Sequence, residues 1–163
     1  MDTIPQQGKV EWIGLRPEIK KPMRIVEFVK VEVGKGLIGD RFQSKHSSKR
    51  EVTLIQSEHI DTLKSILKNP NIKPELLRRN IVIRGINLLS LKDKRFRIGT
   101  AILETTGLCH PCSRMEVNLG KGGYNAMRGH GGITAKVITD GEIRLGDSVY
   151  FVGASADEGT SSS

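Results

Sequence analysis

Aromatic residues are scarce in this chain of 163 residues: one tryptophan, two tyrosines and four phenylalanines, 4% of the total. A core without them must be built from Ile, Leu and Val, and a surface without them has little on which to stack the bases of a single-stranded nucleic acid. Cysteine is rarer still. Cys109 and Cys112 are the only two, too few for a disulfide framework, and reducing compartments keep such thiols free. Charges interrupt every apolar stretch well before the 18 or more residues that a membrane span needs. The opening Met1-Asp2-Thr3-Ile4-Pro5-Gln6-Gln7-Gly8 lacks the basic and apolar regions of a signal peptide. Together these absences lead us to expect a soluble, intracellular, cytoplasmic protein with no membrane partner.

What is present suffices for one core. Counted with the 18 glycines, apolar residues make up about 48% of the chain, an ordinary globular share, and the length fits a single domain. That domain is expected over residues 1–153, with a small, polar tail over 154–163 that is too apolar-poor to fold. Basic residues outnumber acidic ones 26 to 18, a net charge of +8. Such an excess favours anionic partners, a phosphorylated small molecule or nucleic acid, and also serves plain solubility.

The pattern along the chain is mostly that of strands. Residues 24–33 alternate with period two from Glu27 on, and Glu51–Ile55 reads as a second strand. Ile60, Leu63, Ile66 and Leu67 recur at helical spacing, with Ser57 placed to cap the helix and Asn69-Pro70 to stop it. Pro74 suits the first position of a short helix over residues 75–79. Beyond Asn80 come short strands at 81–83, 95–98 and 101–105. Asp140-Gly141, between strands 135–139 and 142–145, predicts a two-residue hairpin. Phe96-Arg97-Ile98-Gly99 and Ile143-Arg144-Leu145-Gly146 echo each other as strand–glycine–strand bends. The sum is a β-rich α+β fold: a bent or closed sheet of mainly antiparallel strands with a few short helices.

Two segments invite a chemical reading. Gly34-Lys35-Gly36-Leu37-Ile38-Gly39 fits the spacing of a dinucleotide loop, but no apolar helical face follows it, so a glycine turn is the better reading, with Arg41 just beyond as an anion contact. Cys109-His110-Pro111-Cys112 is the chemical centre. Zinc would need four N or S ligands, and only His110 and His130 could join the cysteines. A redox pair would need a helix N-terminus in a βαβ setting. A thiolate bound to a transition metal whose other ligands come from a cofactor is the third chemistry, and two small buried side chains the plain alternative. Arg78-Arg79-Asn80 and Arg114 offer the guanidinium forks and amide that hold phosphate.

At these residues the sequence resembles the MOSC domain family, which takes its name from the C-terminal domain of molybdenum-cofactor sulfurases. Four motifs carry the resemblance in order: Gly36–Arg41 with Arg50–Ile55, Arg78–Val82, Gly107–Arg114 and Gly141–Asp147. The run from Gly123-Tyr124-Asn125 through Gly132 is similar to that of small stand-alone members. Where the family's ligand-bearing segment usually has Ser-Arg between its cysteines, this chain has His110-Pro111.

The resemblance implies a barrel-like fold and a molybdopterin-bound molybdenum, or handling of sulfur destined for such a cofactor. It places the metal-binding, catalytic cysteine on Cys112 and cofactor contacts on Arg41, Arg78 and Asn80; to these the reading of the residues themselves adds His110 and Arg114 as cofactor contacts. The implied activity is reductive removal of oxygen from N-hydroxylated compounds. Because the chain has no flavin or iron–sulfur motif, a separate reductase must then supply electrons. Two alternatives stand beside it: a sulfur carrier bearing a persulfide on Cys112, and a non-catalytic basic binding module, for which nucleic acid is a poor partner given the missing aromatics.

Overall fold

The computed structural model describes residues 6–18, 21–40, 51–111 and 113–154. In chain order the strands are β1 (Gly8–Leu15), β2 (Arg24–Val26), β3 (Phe28–Glu32), β4 (Gly36–Leu37), β5 (Val52–Gln56), β6 (Ile81–Arg84), β7 (Lys94–Ile98), β8 (Ala101–Leu108), β9 (Ile133–Thr139), β10 (Gly141–Arg144) and β11 (Ser148–Ala154). The helices are α1 (Ser57–Ile66), α2 (Pro74–Leu77), α3 (Arg114–Leu119) and α4 (Gly123–Met127). Strands β11-β7-β8-β9-β5-β6-β1 form one sheet that returns to β11 and closes as a seven-stranded barrel, with β2 attached outside β1. Strands β10-β3-β4 make a small second sheet.

Side-chain alternation explains the closure. On β7, Phe96 and Ile98 are fully buried while their neighbours are partly open. On β8 and β9 the apolar core residues Ala101 and Leu103, and Ile133, Ala135 and Val137, likewise fall at every second position, although Glu104 and Thr134 between them are covered too. Their inward faces, with Val10, Ile13, Leu54, Ile81, Ile83 and Val149, fill the barrel. Strand β5 departs from alternation because both its faces are covered. Leu54 points into the barrel, and Ile55 packs under α1 and α2 with Ile60, Leu63, Leu77 and Met115. It pairs in parallel with β6, and a parallel pair needs a crossover, here the one that carries α1 and α2. All other described pairings are antiparallel.

Four local expectations need correction. Residues 24–33 are not one strand: the chain bends at Glu27, so β2 pairs with β1 and β3 with β10. The bend is tied down by the Leu145 amide, which donates to the Glu27 carbonyl at 3.0 Å. Ser57 is the first residue of α1, with Gln56 at the cap position, and its hydroxyl instead accepts from Arg84 at 2.8 Å. Asp140-Gly141 is no hairpin, since β9 pairs with β8 and β5 whereas β10 pairs with β3. It is a corner where the chain leaves the barrel. The Asp140 carboxylate accepts from the Val33 amide at 2.7 Å, and a side chain at Gly141 would meet the backbone of Thr100 and Ala101. Finally, Ala154 belongs to β11, paired with Lys94; the expected tail over 155–163 lies outside the described residues. The two echoing glycines do bend the chain, with φ of 60° at Gly99 and 86° at Gly146.

Candidate functional site

Three consecutive residues leave the end of α2 in three directions. Pro74 starts that helix at its first turn, and Arg78 ends it in the left-handed region, φ 56°. A non-glycine residue held there is strained by about 1–3 kcal/mol, so the surrounding fold must hold it. One Arg78 guanidinium nitrogen donates to the Lys21 carbonyl at 3.0 Å, and the side chain lines an open trough. Arg79 turns inward and is 6% exposed. Its Nε donates to the Gly131 carbonyl at 2.8 Å and a terminal nitrogen to the Leu77 carbonyl at 2.9 Å.

Asn80 enters the barrel wall and is fully buried. Its Oδ1 accepts from the Thr53 amide at 3.0 Å and the Thr53 hydroxyl at 3.1 Å. Its Nδ2 donates to the Gly14 carbonyl and to Asp40 Oδ1, both at 3.1 Å. That amide is fully used inside the protein. Asp40 is itself the hub of the neighbouring turn, since Arg16 reaches it through its backbone amide at 2.7 Å and its guanidinium at 3.0 Å. Arg41, the expected anion contact, follows directly but lies outside the described residues.

The cysteine turn rises from the end of β8. Cys109 is 3% exposed, and its amide donates to the Gly132 carbonyl at 2.9 Å. His110 is exposed and Pro111 half-buried; Cys112 lies outside the described residues. Ser113 then precedes α3, which Arg114 opens. The glycines of the 129–132 turn are needed for close approach. A Cβ on Gly131 would run into the Cys109 carbonyl oxygen, and Gly132, at φ 88°, lies against the Leu54 carbonyl. His130 Nδ1 sits 3.2 Å from the Ala126 carbonyl, and its ring meets His59 of α1 edge to face at 5.0 Å. Burial, and then the neighbouring His130, push the His59 pKa below its ordinary value. On the far side of α3, Glu116 accepts the amides of Gly122 and Tyr124, each at 3.0 Å, which lowers its pKa and fixes the start of α4.

Between the β1–β2 connection, α2 and α3 lies a trough of about 820 Å³. Arg78, Ser113 and Arg114 line it together with an apolar wall that includes Met23, Ile25 and Val117. The structure therefore gathers Arg78 and Arg114 around one hollow beside the cysteine turn, and sends Asn80 behind it. Arg79, read in the sequence as a phosphate fork beside Arg78, is instead turned inward on backbone carbonyls, and Asp40 and Thr53 were missed as site-building residues. The sequence signal was weak, because nothing in a local pattern says which of two adjacent arginines faces inward. Among the described residues no cluster of three or more His, Cys, Asp or Glu side chains could hold a metal by itself, and no helix is long and apolar enough to cross a membrane.

A closed, mainly antiparallel barrel with a cysteine turn at the root of a short helix defines a small barrel domain built around a single turn. The chain belongs to the MOSC domain family, whose sequence profile matches residues 37–150, and that family is associated with molybdenum-cofactor binding. The YuaD protein of Bacillus subtilis is similar in structure with a TM-score of 0.77 at 18% identity, over 93% of this chain and 99% of that one. YiiM of Geobacillus stearothermophilus gives 0.70 at 16%, over 89% and 75%. YiiM of Escherichia coli gives 0.67 at 16%, over 88% and 69%. At such identities the likeness is one of fold. No curated protein sequence matches the chain.

A pterin cofactor ending in phosphate makes two demands, cationic forks for the phosphate and a thiolate for the metal. The described residues fit the first; Cys112, which the second requires, lies outside them. Two guanidinium groups line one trough, and the segment that carries Cys112 borders it through Ser113 and Arg114.

Proposed function

We propose that this protein is a molybdenum-cofactor-dependent oxidoreductase that reduces N-hydroxylated compounds. The observation that carries the reading is the shared trough of Arg78, Ser113 and Arg114 beside the cysteine turn. Cys112 would hold molybdenum through its thiolate, with Arg78, Arg114 and Arg41 on the phosphate end and His110 on the cofactor's polar edge. Asn80 serves one layer back, joining Asp40, next to Arg41, to the strand that follows Arg78. When bound, the molybdenum centre supplies two-electron oxygen-atom transfer.

The chain's own contribution is binding and orientation. Arg78 arrives already held in a strained backbone conformation with one donor fixed on Lys21, so little freedom is lost when it takes a phosphate. Met23, Ile25 and Val117 offer an apolar wall against which the hydrocarbon part of a substrate can lie in the open trough. Reduction of an N–OH group to N–H consumes two electrons and two protons and releases water; a separate reductase supplies the electrons.

The test is metal analysis and reductase assay on protein made in a host that produces the cofactor, with reduced viologen as donor and a hydroxylamine-type substrate. Wild type and Cys109→Ser are expected to carry molybdenum and turn over, and Cys112→Ser to lose both. Equal loss in the two variants, or loss only in Cys109→Ser, overturns the assignment. A persulfide on Cys112 in metal-free, fully folded protein would favour the sulfur-carrier alternative instead.

A further inference from the structure

The middle residue of Arg78-Arg79-Asn80 faces neither trough nor solvent. A guanidinium is costly to bury unless its donors meet acceptors, and Arg79 directs two of them at carbonyls far apart in the chain, Leu77 at the end of α2 and Gly131 in the turn before β9. Gly131 is where the turn touches the cysteine segment, packed directly on the Cys109 carbonyl. The next residue, Gly132, accepts the Cys109 amide. The opposite side of the turn is tied to α4 through the His130 amide, which donates to Met127 at 2.8 Å, and His130 rests on His59 of α1. Arg79 is thus the cross-piece between the helix end that presents Arg78 and the turn that holds Cys109 inside.

We propose that Arg79 is the positioning residue of the cysteine turn: by clamping Gly131 to the end of α2 it keeps Cys109 buried and fixes the root of the segment that carries Cys112. It acts through backbone carbonyls and needs no contact with ligand. A fork is required, because two acceptors must be held at once; lysine, with one ammonium, reaches one of them. The consequence for the cofactor rests on the function proposed above, whereas the clamp itself does not.

Cys109 is its own reporter. In metal-free protein carrying Cys112→Ser, Cys109 is the sole thiol, and its labelling by iodoacetamide is followed by mass spectrometry from zero to low urea. With Arg79 present, labelling is expected to be slow and to accelerate with urea along the slope of global unfolding, since only the unfolded chain exposes the thiol. Arg79→Gln is expected to raise the rate at least tenfold and make it nearly independent of low urea, the mark of a local opening. Arg79→Lys should fall between the two, which keeps the test open if the glutamine variant folds poorly. Arg24→Gln, which removes a charge from exposed β2, should match wild type. Unchanged labelling, or faster labelling that keeps the global slope, overturns the clamp and leaves Arg79 a merely structural residue. In cofactor-loaded protein, Arg79→Gln should also lower molybdenum content; full content with an opened Cys109 would sever the link to Cys112. If wild type itself carries no molybdenum, the proposed function fails while the labelling still decides the clamp.

Discussion

Arg78 and Asn80 stand two residues apart, yet substitution of each should be read by a different instrument. Arg78 lines the trough, so its loss should appear in cofactor retention. Charge-assisted hydrogen bonds contribute about 1.5–3 kcal/mol each, and about 1.4 kcal/mol is tenfold in affinity. Arg78→Ala is expected to weaken retention roughly ten- to a hundredfold, and Arg78→Lys to recover part of it. Arg24→Ala, with the same change of charge, should leave retention near wild type; equilibrium dialysis at fixed ionic strength compares them, and equal losses would mean that only net charge matters. Asn80 should appear in stability. Asn80→Ala strands the Thr53 amide and the Gly14 carbonyl inside the barrel wall, and an unsatisfied buried group costs about 1–3 kcal/mol. We expect a loss of about 3 kcal/mol in urea unfolding. Asn80→Asp should be no milder at neutral pH, since it sets a second carboxylate against Asp40 where Nδ2 now donates.

At the scale of elements, the protein divides into a barrel and its attachments. Strands β5, β8 and β9 are paired on both sides and carry the core. Helices α3 and α4 are six and five residues long, far short of the length at which a helix stands alone, and α3 buries only Met115. The cysteine turn is therefore joined to a rigid strand on one side and to a weakly anchored helix on the other. Native-state hydrogen exchange should show this as two classes: amides of β5, β8 and β9 exchanging through global unfolding, those of α3 and α4 through local opening. Protection of α3 as high as that of β8 would contradict it. Adding the cofactor is expected to raise protection in α3 first, because Arg114 opens that helix beside the trough.

For the whole molecule, half-buried His59 and buried Glu51 contribute to the pH response in opposite senses. His59 has its pKa lowered from 6.5 by burial and by His130. The unfolded chain therefore binds the proton more readily, and stability is lost as pH falls from above 6.5 toward the lower folded value. Glu51 has its pKa raised from 4.5, chiefly by burial, although its carboxylate accepts the Val137 amide at 2.7 Å. Its contribution runs the other way, with stability decreasing as pH rises from 4.5 to the raised folded value. Between pH 7.5 and 6 the histidine should govern. Urea midpoints are expected to fall over that interval in wild type and to fall less in His59→Gln; parallel curves would remove His59 from the account.

How much of this was legible beforehand depends on how local the cause is. The composition excluded a membrane span of helical type and a disulfide scaffold, and the short runs punctuated by glycine at 95–98 and 101–105 announced the strands β7 and β8. Pro74 announced a helix start, and the glycines at 99 and 146 announced bends, because each of these acts through its own backbone or its immediate neighbours. The four motifs in order announced the family. Partner choice was another matter. Asp140-Gly141 carries a hairpin signal, yet the strands it joins go to different sheets, since pairing is decided by what closes the barrel. Likewise the adjacent Arg78 and Arg79 are chemically identical in the sequence. Only the tertiary structure, by turning the chain through a left-handed residue at the end of α2, puts one guanidinium in the trough and buries the other against the cysteine turn.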